Sequence, residues 1–179
     1  MNHQQQLNDT DSRVQRTRRA LFDAFSGLVL EQPYDDISIA EIIQQAGIAR
    51  STFYQHFKNK DDILADSMSP MLDVLAATAT GGGDEKALRF VLEHFWDNRN
   101  LGRIILNGQP LKPIARALAD LIEKRRPAAK AAKLWAIQSA EGQLGLIRAW
   151  LTSVVSCSVD DLTGQLMEAG ASRPVKGLE

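Results

Sequence analysis

Seven side chains able to bind a polyanion crowd into one short stretch of this chain: Arg50, Ser51, Thr52, Tyr54, Gln55, His56 and Lys60. From Ala49 to Lys60 there are three cations and no acid. A guanidinium such as that of Arg50 can grip a guanine edge through two hydrogen bonds, and Gln55 can do the same for adenine. Hydroxyl, phenol, imidazole and ammonium groups are better suited to phosphate oxygens, which position a protein on a duplex without specifying sequence. Thr52, Tyr54, His56 and Lys60 fall in that second group, and Lys60 also stands at the expected start of a further helix, where free amides attract anions.

Such side chains reach base edges only from a short helix whose other face is anchored. The surrounding sequence supplies the parts. Ser38 and Glu41 have the spacing of a capping box, in which each side chain satisfies a free backbone amide. Ile39, Ile42 and Ile43 give the helix Ser38 to Gln45 an apolar face, and Gly47 can turn at positive φ. A reading helix from Ala49 or Arg50 to Phe57 follows, anchored by Ile48, Phe53 and Phe57. Upstream, a helix from about Ser12 to Glu31 carries Leu21, Phe22, Phe25, Leu28 and Val29 on one side. Arg13, Arg16, Arg18 and Arg19 cluster near its expected start, against the helix dipole, which suggests nearby phosphates. Pro33 to Asp36 reads as a turn.

The rest of the chain is also helical by periodicity, since apolar residues recur three and four apart and strand-like alternation is absent. Asn59 and Asp62 look like the cap of a helix running to about Ala77. Thr78 to Asp84, with Gly81, Gly82 and Gly83, reads as a flexible break. Further helices are expected over Asp84 to Asn98, over a short piece from Leu101 to Leu106, from near Pro113 to Arg126, over about Ala128 to Ser156, and from Asp160 to Gly170. The fold class is therefore all-α: an amino-terminal three-helix, helix-turn-helix domain over residues 12–66, joined to a helical bundle over 67–170. Residues 1–11 and 171–179 are expected to be disordered.

With 179 residues, 44% hydrophobic and 24% charged, the chain can bury an ordinary core. No apolar run reaches the ~20 residues of a membrane helix, and the start lacks a secretory signal. Cys157 is the single cysteine, so an internal disulfide is impossible and a cytoplasmic location is expected. The net charge of -1 gives no global support for nucleic-acid binding, which must rest on local charge.

The segment from about Arg16 to Leu64 resembles the DNA-binding domain of the tetracycline-repressor (TetR) family. The resemblance is carried by Ser38-Ile39-Ala40-Glu41-Ile42, Ala46-Gly47-Ile48, Ser51-Thr52-Phe53-Tyr54-Gln55-His56-Phe57 and Lys60. It implies an all-helical homodimer on a pseudo-palindromic double-stranded operator, usually a repressor relieved by a small ligand. It further implies phosphate contacts from Ser38, Thr52, Tyr54, His56 and Lys60, and base reading by Arg50, Ser51 and Gln55. Ala49 departs from the pattern, because the family often places a capping serine there. More loosely, the segment Gly142 to Leu151 resembles the family's dimer helix, with Gly142, Leu144, Gly145, Arg148 and Leu151 as interface residues. Gly142 and Gly145 would admit a close partner, although an intramolecular packing helix accounts for the same pattern.

Other chemistries are weaker. Gly81-Gly82-Gly83 lacks the lysine and preceding strand of a phosphate loop. His3, His56, His94 and Cys157 do not have metal-ligand spacing, so neither a metal nor a cofactor is expected. The acid pairs Asp61-Asp62 and Asp160-Asp161 sit at expected helix starts, where capping explains them. Cys157 reads as a buried inert thiol. An effector cavity would draw on Met68, Met71, Phe90, His94, Phe95, Trp96, Trp135 and Gln138, all of which a core also explains. The reading favours a ligand-responsive repressor that is not an enzyme. Its rivals are a ligand-independent activator or nucleoid-associated protein of the same fold and, more remotely, an all-helical enzyme or small-molecule-binding module.

Overall fold

The first helix is longer than its capping signals suggest. A computed structural model describes residues 3–125 and 132–171, with side chains described from residue 12. In it α1 spans His3–Glu31. Residues 3–11 are thus helical rather than a disordered arm, and residues 1–2 and 172–179 lie outside the described residues. The reason is local: glutamines are good helix formers and no proline interrupts the run. Arg13 to Arg19 consequently lie in the interior of α1, where the dipole effect of a first turn has died away. The electrostatic conflict expected there does not arise.

Eight more α-helices follow among the described residues, with no strand. They are α2 (Ile39–Ala46), α3 (Arg50–His56), α4 (Lys60–Ala79), α5 (Glu85–Asp97), α6 (Arg99–Asn107), α7 (Leu111–Arg125), α8 (Ala132–Leu151) and α9 (Val159–Ala171). A 3-10 turn, Tyr34–Asp36, joins α1 to α2. The chain forms two compact units, Met1–Ser67 and Met68–Glu179, so α4 contributes to both. Pro70 sits inside α4 just past that boundary, where it removes one helical N–H donor.

In the first unit, Leu21, Ala24, Phe25, Leu28 and Val29 of α1 are buried together with Ile37, Ile42, Phe53, Phe57, Ile63 and Leu64. At about 1.5–3 kcal/mol for each large apolar side chain removed from water, this core rather than helix propensity holds the short α2 and α3. α2 packs on α1, where Gly27 faces the Gln45 amide.

In the second unit α7 and α6 pack on α8, and α5 packs on α9. Its core includes Leu72, Leu88, Leu92, Leu106, Ile114, Leu118, Leu144 and Ile147. The glycine segment is a built cap rather than a loose connector. Gly81 has φ 78°, its N–H donates to the Thr78 carbonyl at 3.0 Å, and that of Gly82 donates to Ala77 at 3.0 Å. This is the bonding of a Schellman closure. Gly170 of α9 lies so close that an added Cβ would sit 1.9 Å from the Thr78 carbonyl oxygen. α8 stops at Leu151 rather than Ser156, because Ser153 adopts φ 62° and the amides of Val154 and Val155 turn back onto the Ala149 carbonyl. The expected start of α8 at Ala128 lies outside the described residues. α6 extends beyond the anticipated 101–106, and Asn98 both closes α5 and opens α6.

Candidate nucleic-acid interface

The reading surface is assembled from α2 outward. Ser38 and Glu41 form the full capping box: the Ser38 hydroxyl donates to Glu41 Oε2 at 2.7 Å and accepts from the Glu41 amide at 3.2 Å, while the Ser38 amide donates to Oε2 at 2.8 Å. These bonds from Ser38, backbone first, with help from Gln32, hold the Glu41 carboxyl below its usual range. The Ser38 hydroxyl is thus engaged with Glu41 on both sides, as donor and as acceptor.

Gly47 then turns the chain at φ 64°, with its amide on Gln44 at 3.2 Å and that of Ile48 on Ile43 at 3.3 Å. α3 starts without a side-chain cap at Ala49, as the departure at that position implies. Phe53 and Phe57 are buried, and their rings lie 6.2 Å apart. With that face anchored, Arg50, Ser51, Tyr54 and Gln55 are exposed, and Thr52 and His56 are half-buried at the edges. Arg50 is not loose. Its guanidinium lies 5.6 Å from the centre of the Tyr54 ring, and Nη2 is 3.5 Å from the phenol oxygen. Such stacking restricts the long side chain at modest cost to its hydration.

Lys60 has close partners within the protein. Its ammonium donates to three carbonyls: Tyr34, Asp35 at 3.3 Å and Ile37 at 3.0 Å. It also lies 4.3 Å from the centre of the Tyr34 ring. An ammonium has three donors, and all three carbonyls lie within their reach. The next residue, Asp61, accepts the Tyr34 hydroxyl. Burial first, and then this bond and the nearby acids, raise the Tyr34 pKa far above its ordinary value, keeping the phenol a donor. Tyr34 and Asp61 were not recognisable as a pair from sequence, where one reads as a turn residue and the other as a helix-start acid. The usable signal was an aromatic residue directly after Pro33.

The helix-start acids divide their work. Asp62, not Asp61, caps α4: it accepts from the Lys58 amide at 2.8 Å and the Asn59 amide at 3.3 Å, and Asn59 Oδ1 accepts from the Asp62 amide at 2.9 Å. Asp161 closes a second capping box with Ser158, whose hydroxyl and amide bonds lower the Asp161 pKa. Asp160 pairs with Arg89. Of the α1 cations, Arg18 pairs with Asp66 at 3.6 Å and Arg19 with Asp23 at 4.0 Å, while Arg16 Nε donates to the Ser12 carbonyl.

The residues named for a cavity do not share one environment. Met68 and Phe95 are buried and Met71 and Trp135 half-buried, whereas Phe90 is 70% exposed and His94, Trp96 and Gln138 also face solvent. Trp96 stacks on the buried Trp150 at 4.8 Å and under Arg99 at 5.5 Å, at the edge of the core. Nor does α8 place all its named residues on one side. Leu144 and Leu151 are buried within the unit, so they are core rather than interface. Gly142 and Arg148 are exposed and Gly145 partly so, and both glycines have open space where a Cβ would stand. Cys157 is half-buried rather than fully buried. Among the described residues no group of three His, Cys, Asp or Glu could hold a metal, and no helix is long and apolar enough to cross a membrane.

Residues 21–66 match the family model described as bacterial regulatory proteins, tetR family. A 55-residue stretch is 46% identical to an uncharacterised HTH-type transcriptional regulator, YxbF, of Bacillus subtilis, covering 30% of this chain but only 14% of that protein. Over nearly the whole chain the fold is similar to that of a TetR transcriptional regulator from Streptococcus agalactiae, with a TM-score of 0.57 and 21% identity over 93% of this chain and 99% of that one. It is also similar to DhaS, an activator of the dihydroxyacetone kinase operon, with a TM-score of 0.50 and 19% identity over 86% and 93% of the two chains. At these identities the solved structures speak to the fold, and the shorter match speaks to the amino-terminal domain.

Proposed function

We propose that this chain, whose residues 21–66 match the family model of the tetR bacterial regulatory proteins, is a member of that family that binds double-stranded DNA as a homodimer in the cytoplasm and regulates transcription. The observation that carries this reading is the outer face of α3: Arg50, Ser51, Tyr54 and Gln55 are exposed on a helix anchored by buried Phe53, with no acid among residues 49–60. Arg50, Ser51 and Gln55 read base edges. Thr52, Tyr54 and His56, flanked by exposed Lys58, meet phosphates. No enzymatic role is assigned.

Twofold symmetry places two such helices in successive major grooves of a pseudo-palindrome. The outward side of α8, with Gly142, Gly145 and Arg148, is the proposed contact with the second copy. We further infer repression relieved by a small molecule. α4 contributes residues to both units, so a ligand that shifts its second half acts on the first through continuous helix. Support for a ligand in the second unit comes from Gln143: its amide nitrogen donates to the Leu75 carbonyl at 3.2 Å, while its buried Oε1 has no protein partner. A donor-bearing molecule would satisfy that acceptor. A second reading, activation, is favoured by the name of DhaS, an operon activator on the same fold. Expression of a reporter from recovered operators, with and without the protein and with candidate metabolites, separates the two. Repression relieved in wild type but not in Gln143→Leu is expected, and increased expression would establish activation instead.

A further inference from the structure

Lys60 is a conspicuous cation beside the reading helix, yet its surroundings give it different work. The 33–37 turn enters α2, and its carbonyls at Tyr34, Asp35 and Ile37 converge on the Lys60 ammonium. Three converging carbonyl dipoles need a cation with three donors, and lysine is the residue that provides one. Tyr34 is held at both ends by consecutive residues of α4, its ring and carbonyl by Lys60 and its hydroxyl by Asp61. The Phe25 ring of α1 meets it edge-on at 6.0 Å and 88°.

The consequence lies in one peptide plane. The Ile37 carbonyl and the Ser38 N–H belong to the same peptide group, which is rigid and planar. Lys60 Nζ holds its oxygen at 3.0 Å, and Glu41 Oε2 holds its N–H at 2.8 Å. The plane that launches α2 is therefore pinned on both edges, one from α4 and one from α2 itself. α2 carries Gly47 and α3 after it, so the angle at which the reading face is presented depends on this plane.

We propose that Lys60 is a positioning residue, clamping the Tyr34 turn and setting the entry direction of the helix-turn-helix, and that it contributes to DNA affinity without touching a phosphate. This rests on the DNA-binding reading above, but its test can fail separately. Removing a phosphate contact lowers the slope of log affinity against log salt by about 0.9 per phosphate. Removing a clamp lowers affinity by a similar factor at every salt concentration, because the phosphate count is unchanged.

The experiment uses the full chain with isotope-labelled lysine, measured by nuclear magnetic resonance free and on a recovered operator, together with Lys60→Met, which keeps the stem and removes the ammonium. In the free wild-type protein the Lys60 ε-methylene protons are expected upfield of the other lysines, shifted by the Tyr34 ring, and to stay there when DNA is added. Lys60→Met is expected to lose about tenfold in affinity with an unchanged salt slope. A Lys60 signal at the ordinary lysine position, a signal that moves on DNA binding, or a salt slope lowered in Lys60→Met would overturn the clamp. If the variant does not fold, the wild-type spectra decide alone. A wild-type chain that binds no duplex would defeat the DNA-binding reading while leaving the free-protein signal as evidence for or against the clamp.

Discussion

At the scale of single residues, the account turns on which protons are already engaged. Arg50 stacks on the Tyr54 ring, and among the described residues its guanidinium edge has one weak hydrogen-bond partner, at 3.5 Å. Four of its five N–H donors therefore have no protein partner given by this contact, and a bidentate grip on guanine remains open. Arg50→Ala is expected to relax base preference at one position of each half-site by ~1–3 kcal/mol in a competition assay against scrambled duplexes. Unaltered selectivity would remove Arg50 from the base-reading set. Ser38 and Lys60 show the opposite case. Ser38 is bonded to Glu41, a pairing already written in their spacing, whereas the Lys60 bonds to the 33–37 turn are set by tertiary folding. Carboxylate caps give a pH prediction of definite sign. Glu41 and Asp161 have folded pKa values depressed by their serine partners, so their stabilisation is present above the unfolded value of about 4 and is lost as pH falls through the lower folded value. Denaturant midpoints of wild type should decline through that acidic window, and Glu41→Ala with Asp161→Ala should flatten the decline. An equally steep decline in the double variant would contradict the assignment.

At the scale of elements, the parts that announce themselves in sequence are those with local chemistry. The Ser38–Glu41 box, the αL turn at Gly47, the uncapped Ala49 and the Asn59–Asp62 cap each depend on neighbours within four residues, and each is found where its residues indicate. Elements that end through distant packing or unfavourable local conformation were harder to bound. α8 stops at Leu151 because Ser153 adopts φ 62°, and the end of α4 at Thr78 is approached closely by Gly170 of α9, a neighbour far away in sequence. The buried sides of Leu144 and Leu151 were illegible for a related reason, since a heptad-like stripe has the same period whether it meets its own domain or a second copy. Two substitutions test these elements by denaturant unfolding. Ala49→Ser should stabilise by up to ~1 kcal/mol by supplying the missing α3 cap, and no gain would mean that the first-turn amides are satisfied otherwise. Gly170→Ala should cost about 1–3 kcal/mol, because its Cβ meets backbone that has to move. A neutral outcome would show that the α4–α9 approach is looser than described.

At the scale of the whole molecule, a chain of net charge -1 is proposed to engage a polyanion. The balance is local: Glu41, Asp62, Asp84 and Asp161 cap helices and Asp23, Asp66, Asp73 and Asp160 pair with cations, while residues 49–60 carry no acid. Doubling that face by a twofold axis multiplies affinity through effective concentration, which a single seven-residue helix needs. Assembly and fold are separable here. Gly142→Glu should weaken the dimer in sedimentation measurements while leaving the helical content intact, whereas Leu144→Ala should cost about 2–5 kcal/mol of folding stability. Equal effects of both on folding, with the dimer untouched, would place the interface elsewhere.

The most direct test of the central claim is selection of bound fragments from genomic DNA by the purified full-length protein at low ionic strength, with its mass in solution measured in parallel. The account predicts a dimer that enriches a twofold-related sequence whose half-sites lie about one helical turn apart. A monomer that enriches no duplex would contradict it.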